Sequence, residues 1–230
     1  MKTLVIIFSV IGLLSLNSCN QKSDVKTKLK NAETKSETNK NIAENIDYIS
    51  PFYDGVAAVK KGNNWGFMDK KGTIIINFRN DLVSTKIDND NYPIFSSERC
   101  LISNEKNGIP YFGYIDKSGN TVIEPQFLNA TNFNKNAAIV LKLVKEQLGT
   151  NELLMKNVVS YDYFEVVIDK DVKTIQYLSK EPIHITLANQ NMKNKPVITS
   201  RFISDNLIAV RNNNKNWTIK TINEQQEKTQ

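Results

Sequence analysis

The sequence predicts a mainly β protein of antiparallel β-meander repeats, about four in number, that follow a signal peptide and a disordered tether. Short stretches rich in Val, Ile, Phe, Tyr and Trp are separated by clusters of Gly, Asn and Asp, which is typical of strands joined by turns. One residue pattern also recurs along the chain, and such recurrence indicates a repeat architecture. A helical period is sustained only over residues 141–156, where the sequence also allows a helix.

Composition limits the functional classes. The chain has 230 residues, of which 40% are hydrophobic and 23% are charged, so it can form an ordinary core and is neither collagen-like nor wholly disordered. The formal net charge is +6, and the 24 acidic residues are interspersed among the 30 basic ones, so we expect no nucleic-acid partner. With one histidine and two cysteines, we expect no metal and no cofactor.

The first element is a predicted lipoprotein signal peptide over residues 1–18. Lys2 supplies a positive charge, and the apolar run at residues 4–16 is shorter than the roughly 20 residues of a membrane-spanning helix. The run ends in Leu16-Asn17-Ser18-Cys19, which resembles the lipobox of bacterial lipoproteins. That resemblance implies that Cys19 is acylated and becomes the first residue of the mature chain. The alternative is a cleaved secretory signal followed by a chance cysteine.

Acylation at this position predicts a cell-envelope protein. Each buried methylene of an acyl chain contributes about 0.8 kcal/mol, so several chains hold a protein at a membrane without spanning it. Asn20 follows the cysteine and favours the outer membrane, and residues 21–24 are similar to a short signal for export to the outer face. We therefore expect a lipid anchor in the outer membrane, with exposure on the cell surface left open.

Residues 19–48 are predicted to comprise the lipidated cysteine and a flexible tether. Lys, Glu, Asn, Thr and Ser dominate this stretch, which therefore buries too little apolar surface to offset the entropy of folding.

Residues 49–130 contain two well-formed repeats. Residues 52–59 align with residues 95–102, and residues 65–72 align with residues 112–119. Each copy then runs into a short apolar stretch that predicts a further strand.

Residues 131–223 contain two degenerate repeats, and residues 224–230 form a polar tail. The third repeat opens at Phe133 and closes near Asp169, after a long insertion at residues 141–163. In the fourth repeat, Trp217 stands where Trp65 stands in the first.

A turn signal recurs at a fixed place in the repeats. The aspartates of this turn are Asp69, Asp116 and Asp169. Their carboxylates can accept hydrogen bonds from backbone amides ahead, while Gly72 and Gly119 can adopt the left-handed conformation that closes a hairpin. In the third repeat Val172 stands near the glycine position. That turn is therefore either built differently or strained by about 1 kcal/mol.

An aromatic residue precedes a glycine in both well-formed repeats, as Trp65-Gly66 and Phe112-Gly113. A large ring beside a residue without a side chain suits a place where another backbone approaches closely. We expect these rings in the core, the alternative being an exposed recognition stripe. Cys100 takes the position of an alanine in the other repeats, so we expect a small, buried and inert residue.

The run Asn64-Trp65-Gly66-Phe67-Met68-Asp69-Lys70-Lys71-Gly72 closely resembles the WG repeat, which is named for its Trp-Gly pair. The second copy matches over residues 111–127 but carries Phe112 in place of the tryptophan. Together with the N-terminus, the resemblance indicates a WG repeat-containing bacterial lipoprotein. It implies a β-rich array that mediates contacts, and it supplies no catalytic residues.

No catalytic motif with a recognisable spacing occurs, and His184 lies between two isoleucines in a predicted strand, so we expect no enzyme. The leading hypothesis is a lipid-anchored, non-enzymatic β-repeat module that binds a protein partner, since stacked repeats offer extended surfaces. The alternative is an immunity protein that neutralises a toxin at the cell envelope, with residues 141–163 facing the toxin. A structural spacer and a carbohydrate binder also remain open.

Overall fold

The computed structural model describes residues 44–152, 156–187, 196–212 and 214–222. In these ranges the chain forms seventeen strands and no helix, so the predicted mainly β fold is confirmed. Among these residues there is consequently no helix long and apolar enough to span a membrane. The predicted signal peptide, Cys19, most of the tether and the tail lie outside the described residues.

The strands form four antiparallel sheets and one small hairpin. The first sheet contains β1 (Tyr48–Tyr53), β2 (Val56–Lys61), β3 (Asn64–Met68) and β4 (Ile74–Arg79). The small hairpin contains β5 (Thr85–Ile87) and β6 (Asp90–Tyr92). The second sheet contains β7 (Phe95–Ser96), β8 (Arg99–Lys106), β9 (Ile109–Ile115) and β10 (Thr121–Phe127). Each of these sheets is a meander, because strands adjacent in sequence are adjacent in space.

The third and fourth sheets are built on the same plan. The third contains β11 (Ala138–Asn151), β12 (Lys156–Ile168) and β13 (Thr174–Tyr177), with β14 (Ile183–His184) paired to β12. The fourth contains β15 (Arg201–Phe202), β16 (Leu207–Arg211) and β17 (Trp217–Thr221). The antiparallel β-meander repeats predicted from the sequence are therefore present.

Strand register shows that three repeats share equivalent positions beside the turn. The residue that precedes each turn aspartate lies opposite a small side chain. These pairs are Met68 with Ala57, Ile115 with Cys100, and Ile168 with Ala138. Structural equivalence thus follows the sequence alignment even in the degenerate third repeat.

Successive sheets stack face to face, and each interface is a separate hydrophobic core. Phe67 of the first sheet packs against Phe95 of the second, with ring centroids 4.7 Å apart and an interplanar angle of 68°. Tyr114 of the second sheet packs in the same way on Phe133, which precedes the third, at 4.8 Å and 69°. At the next interface Ile208 lies in one core with residues of the third sheet. The inner sheets are thus covered on both faces.

The helix allowed over residues 141–156 is wrong, because the described part of this stretch, residues 141–151 and 156, belongs to the β11–β12 ladder. Pairing runs from Ala138 opposite Ile168 to Asn151 opposite Lys156, with one bulge near Gly149. The ladder satisfies the backbone groups that face the neighbouring strand, which local periodicity cannot foresee. The predicted insertion is therefore a lengthening of two repeat strands. We call the part from Lys142 through residue 163 the long hairpin.

Candidate functional site

The three turn aspartates have the same hydrogen bonds. Asp69 Oδ1 accepts the amides of Lys71 at 2.8 Å and Thr73 at 2.9 Å. Asp116 and Asp169 accept the amides two and four residues ahead at distances between 2.8 and 3.0 Å. These carboxylates are occupied by the turns that they build.

Backbone conformation resolves the two alternatives for the third turn. Gly72 and Gly119 both have φ of 82°, and Val172 has φ of 68°. The third turn is therefore built like the others, with a β-branched residue in the left-handed region. A conformation of this kind costs about 1–2 kcal/mol in a residue that has a Cβ.

The glycine of the aromatic-glycine pair lies under a bulge in the next strand. Tyr114 pairs with Ile123, whereas Phe112 pairs with Phe127, so β10 bulges opposite Gly113. A Cβ on Gly113 would overlap the carbonyl oxygen of Ile123. The bulge of β4 leaves no room for a side chain at Gly66 either, since a Cβ there would lie 2.7 Å from the carbonyl oxygen of Ile76.

The aromatic partners of these glycines both lie on the face that meets the next sheet. Phe112 is buried in the core between the second and third sheets. Trp65 is half-buried, with Tyr48 edge-on at 5.8 Å and the Lys60 ammonium 5.6 Å from its ring centroid. The expectation of a core position is fully met by Phe112 and partly by Trp65.

Trp217, which aligns with Trp65, is 47% exposed. It pairs with Arg211 as Trp65 pairs with Lys60, so its place in the sheet is the one the sequence indicates. The guanidinium carbons of Arg201 and Arg211 lie 5.1 and 5.5 Å from its ring centroid. The fourth sheet is the last in the described part of the chain, so no further described sheet covers this ring.

Cys100 is fully buried, and burial raises the pKa of its thiol well above the usual range. The thiol is therefore neutral and inaccessible, as the sequence predicted for a small core residue. The lipidation site, Cys19, lies outside the described residues.

A serine, a histidine and an aspartate meet on the long hairpin, which sequence reasoning missed. Pairing of β14 with β12 brings His184 Nδ1 to 3.2 Å from Asp162 Oδ1 and 3.3 Å from Ser160 Oγ. A nucleophile–base relay uses both ring nitrogens, one for the nucleophile and one for the carboxylate. Here both contacts use Nδ1 and the ring is exposed, so the geometry is that of a surface cluster.

A cavity lies between the second sheet and the long hairpin, and we call it the fork cleft. Its volume is about 470 Å³. It is lined by Lys106, Asn107, Ile109, Tyr111, Pro125, Gln126, Leu143, Tyr161 and Leu187. Sequence reasoning missed the fork cleft because its walls come from segments that are far apart in the chain.

The cleft opens where two strands separate. Leu128 and Leu141 are joined by a backbone hydrogen bond of 3.0 Å. Leu128 follows directly on β10, which pairs with β9 in the second sheet. Leu141 lies in β11, which continues into the long hairpin. The two arms of the fork thus belong to different sheets.

The walls of the fork cleft combine apolar and polar groups. Ile109 is buried at its base, and Tyr111, Leu143 and Leu187 pack against that core. Burial, together with the nearby Tyr161, raises the pKa of the Tyr111 phenol, which stays a hydrogen-bond donor at neutral pH. Apolar walls with a few polar groups are typical of ligand-binding clefts.

The other face of the long hairpin carries exposed apolar side chains. Leu148 is 62% exposed, and Val144 and Val158 are exposed as well. Exposed apolar side chains that share a face make this face of the long hairpin a candidate interaction surface. No group of three or more potential metal ligands occurs among the described residues.

Comparison with known families identifies the repeats. The family described as WG containing repeat matches residues 36–65, 65–83 and 112–142. The chain contains WG repeats at these positions. The matches span β1–β4 and run from β9 to the start of β11, and together they cover about a third of the chain. Comparison with curated proteins and with solved structures gave no match.

The WG repeats indicate a repeat-based interaction module. The family match ends at residue 142, which is where the long hairpin begins. The long hairpin thus lies beyond the matched region, and the fork cleft is lined by matched residues such as Pro125 and unmatched ones such as Leu187.

Proposed function

We propose that this WG repeat protein is a lipid-anchored cell-envelope protein that binds a protein partner without catalysis. The observation that carries the proposal is the long hairpin, which extends two repeat strands beyond the matched family region. It presents exposed Val144, Leu148 and Val158 on one face and borders the fork cleft with the other. Repeat proteins commonly bind through surfaces that vary on a constant scaffold.

Burial of the repeat faces supports this choice of surface. The inner sheets use both faces in cores between neighbouring sheets, so their faces are not available to a partner. The surfaces that remain are turns, strand edges, the outer faces of the end sheets and the long hairpin. Among these the long hairpin combines exposed apolar side chains with an adjoining cavity.

The membrane part of the proposal rests on the lipobox-like end of the N-terminal segment. Acylation of Cys19 would place the module at a bilayer, in the outer membrane if Asn20 acts as the sorting residue. A Cys19→Ser chain should lose incorporation of labelled palmitate and move from the membrane fraction to the soluble fraction. Retention of the variant in membranes, with no label in the wild-type chain, would refute the lipid anchor.

Partner binding is tested by purifying the full chain from membranes with a matched pair of variants. Leu148→Asp changes the long hairpin, while Ile219→Asp changes an equally exposed position on the fourth sheet. We expect one defined protein to accompany the wild type and Ile219→Asp, and to be lost with Leu148→Asp. A protein retained equally by both variants, or none with the wild type, would contradict the proposed surface.

A second candidate is an immunity protein that neutralises a toxin at the envelope. The observation that favours it is the position of the long hairpin in the degenerate third repeat. A surface specific for one toxin must be free to vary in sequence, and the repeat scaffold does not constrain the hairpin. Under this candidate a deletion strain dies beside its siblings and is rescued by the wild-type chain but not by Leu148→Asp. Survival of the deletion strain beside its siblings would exclude the candidate.

A further inference from the structure

We propose that the partner docks by strand addition, with an extended segment that pairs along the free edge of β11 and directs alternate side chains into the fork cleft. This inference rests on the proposed function and specifies its partner as an extended polypeptide segment. Strand addition gives affinity through backbone hydrogen bonds and specificity through pockets for alternate side chains.

Hydrogen bonds at the start of β11 show to which edge its amides and carbonyls point. The Leu141 amide donates to Asn129 O at 2.9 Å, and Leu141 O accepts from the Leu128 amide at 3.0 Å. Ile139 O likewise accepts from the Thr131 amide at 2.9 Å. Residues 139 and 141 therefore direct their backbone groups away from β12.

The same direction continues into the long hairpin. In an antiparallel ladder every second residue directs its amide and carbonyl to the same edge. Since the β11–β12 register is regular from Ala138 to Gln147, Leu143 and Lys145 also direct these groups away from β12. No backbone hydrogen bond joins either residue to another strand at that edge within the described ranges.

The fork leaves room for a strand at this edge. Residues 128–131 pair with the edge of β11 as far as Leu141. Beyond Leu141 they no longer cover this edge, because the residues before 128 belong to β10 of the second sheet. The fork cleft, about 470 Å³ in volume, occupies the space between the two arms. An added strand beside β11 would continue the pairing that residues 128–131 begin.

The side chains around the edge specify the composition of the segment. On the cleft side it would meet Tyr111, Leu143 and Leu187, which favour apolar or aromatic residues. On the opposite side it would lie beside the exposed Val144. We therefore expect a segment with apolar residues facing the cleft.

Charge adds a further preference. Lys106 lines the cleft, Lys145 lies on the edge, and neither has a carboxylate partner among the described residues. Lysine on an edge strand discourages pairing with like-charged strands, including a second copy of β11. It favours a partner segment that carries acidic residues.

The test uses the purified full chain and a library of random ten-residue peptides as the probe. Lys145→Pro removes the outward amide of Lys145, and proline is tolerated at an edge position whose amide has no partner. Lys145→Ala removes the same side chain and keeps the amide, so it is the matched control. Unchanged amide exchange in β2 and β3 shows that each variant is folded, and unchanged exchange at Lys142 and Val144, whose amides face β12, shows that the long hairpin is intact.

We expect the selected peptides to contain acidic and apolar residues, and to bind Lys145→Pro at least tenfold more weakly than Lys145→Ala. Bound peptide should also slow hydrogen exchange at the amides of Leu143 and Lys145. Equal binding by the two variants, no slowing at these amides, or no peptide that binds would overturn strand addition.

The outcome separates this inference from the proposed function. If a membrane partner depends on Leu148 but its binding is unaffected by Lys145→Pro, the binding module stands and strand addition is wrong. If no partner depends on the long hairpin at all, both are wrong.

Discussion

At the scale of single residues, the structure explains why the repeat needs a glycine after its aromatic residue. The bulges of β4 and β10 bring backbone atoms against Gly66 and Gly113. In the third repeat the equivalent residue is Val166, and there β12 and β13 pair without a bulge at that point. Glycine and bulge therefore occur together, and the loss of one accompanies the loss of the other.

Replacing Gly113 by alanine should destabilise the protein. The new Cβ would overlap the Ile123 carbonyl oxygen and lie 2.7 Å from Pro125 N, so the backbone must shift at a cost of about 2 kcal/mol or more. Gly149→Ala is the control, because no atom lies within 4 Å of its added Cβ. Urea unfolding should show a clear loss for Gly113→Ala and little change for Gly149→Ala. Equal midpoints for the two variants would contradict the close approach.

Residue-scale features differ in how far the sequence could predict them. The turns at Asp69, Asp116 and Asp169 could be predicted because their hydrogen bonds lie within five residues of chain. The exposure of Trp217 could not, because it depends on whether another sheet follows in the stack. The position of a residue in a repeat can be read from the neighbouring sequence, whereas its burial depends on residues that are distant in the chain.

At the scale of elements, the third repeat shows how a sheet can be modified without losing its register. Glu165 lies opposite Leu141, as Trp65 lies opposite Lys60. Its buried carboxylate accepts the Ser200 amide at 2.8 Å and the Thr199 amide and hydroxyl at 3.1 Å each. A carboxylate thus replaces the ring and ties the third sheet to the segment that leads into the fourth.

Substitution of Glu165 should loosen that segment selectively. Glu165→Ala leaves the amides of Thr199 and Ser200 without their acceptor, which costs about 2 kcal/mol. We expect hydrogen exchange at these two amides to become faster, while the amides of β2 and β3 are unchanged. Glu146→Ala, at an exposed position of the long hairpin, is the control. Unaltered exchange at residues 199 and 200 would show that other contacts hold the segment.

The long hairpin marks the limit of sequence prediction at this scale. Leu141, Val144 and Leu148 have the spacing of a helical face. In the strand, Leu141 is buried while Val144 and Leu148 are exposed. Short apolar patterns fit both structures, and the pairing that decides between them comes from residues distant in sequence. The fork cleft was unpredictable for the same reason.

At the scale of the whole molecule, stability comes from interfaces between stacked sheets. Phe52, Phe95 and Phe133 occupy equivalent positions in three repeats. The last two pack against rings of the preceding sheet, and Phe52 is 46% exposed. The sequence alignment predicted the equivalence, whereas the order of stacking had to come from the structure.

The stack predicts opposite outcomes for two identical substitutions. Phe95→Ala removes a ring that is 1% exposed and should cost about 3–5 kcal/mol. Phe52→Ala, at the equivalent position of the first repeat, should cost about 1 kcal/mol or less. Chemical denaturation of both variants provides the measurement. A loss of similar size in the two would contradict the stacking of sheets as the source of stability.

Alkaline pH should weaken the fold through the tyrosines that border the first interface. A hydrogen bond to Tyr53, together with burial, raises the pKa of Tyr92 to about 12, while a tyrosine in the unfolded chain ionises near pH 10. Above pH 10 the unfolded chain therefore binds fewer protons, and stability falls as pH rises. Tyr92→Phe should reduce the fall between pH 10 and 12, and parallel curves there would contradict the assignment.

The central proposal is that the long hairpin meets a partner at the membrane. Leu148 on this hairpin and Ile219 on the fourth sheet are 62% and 63% exposed, so a photoreactive residue placed at either position is equally accessible. Irradiation of intact cells should yield one protein adduct at position 148, in the membrane fraction, and none at position 219. Adducts at both positions alike, or none at position 148, would contradict the account.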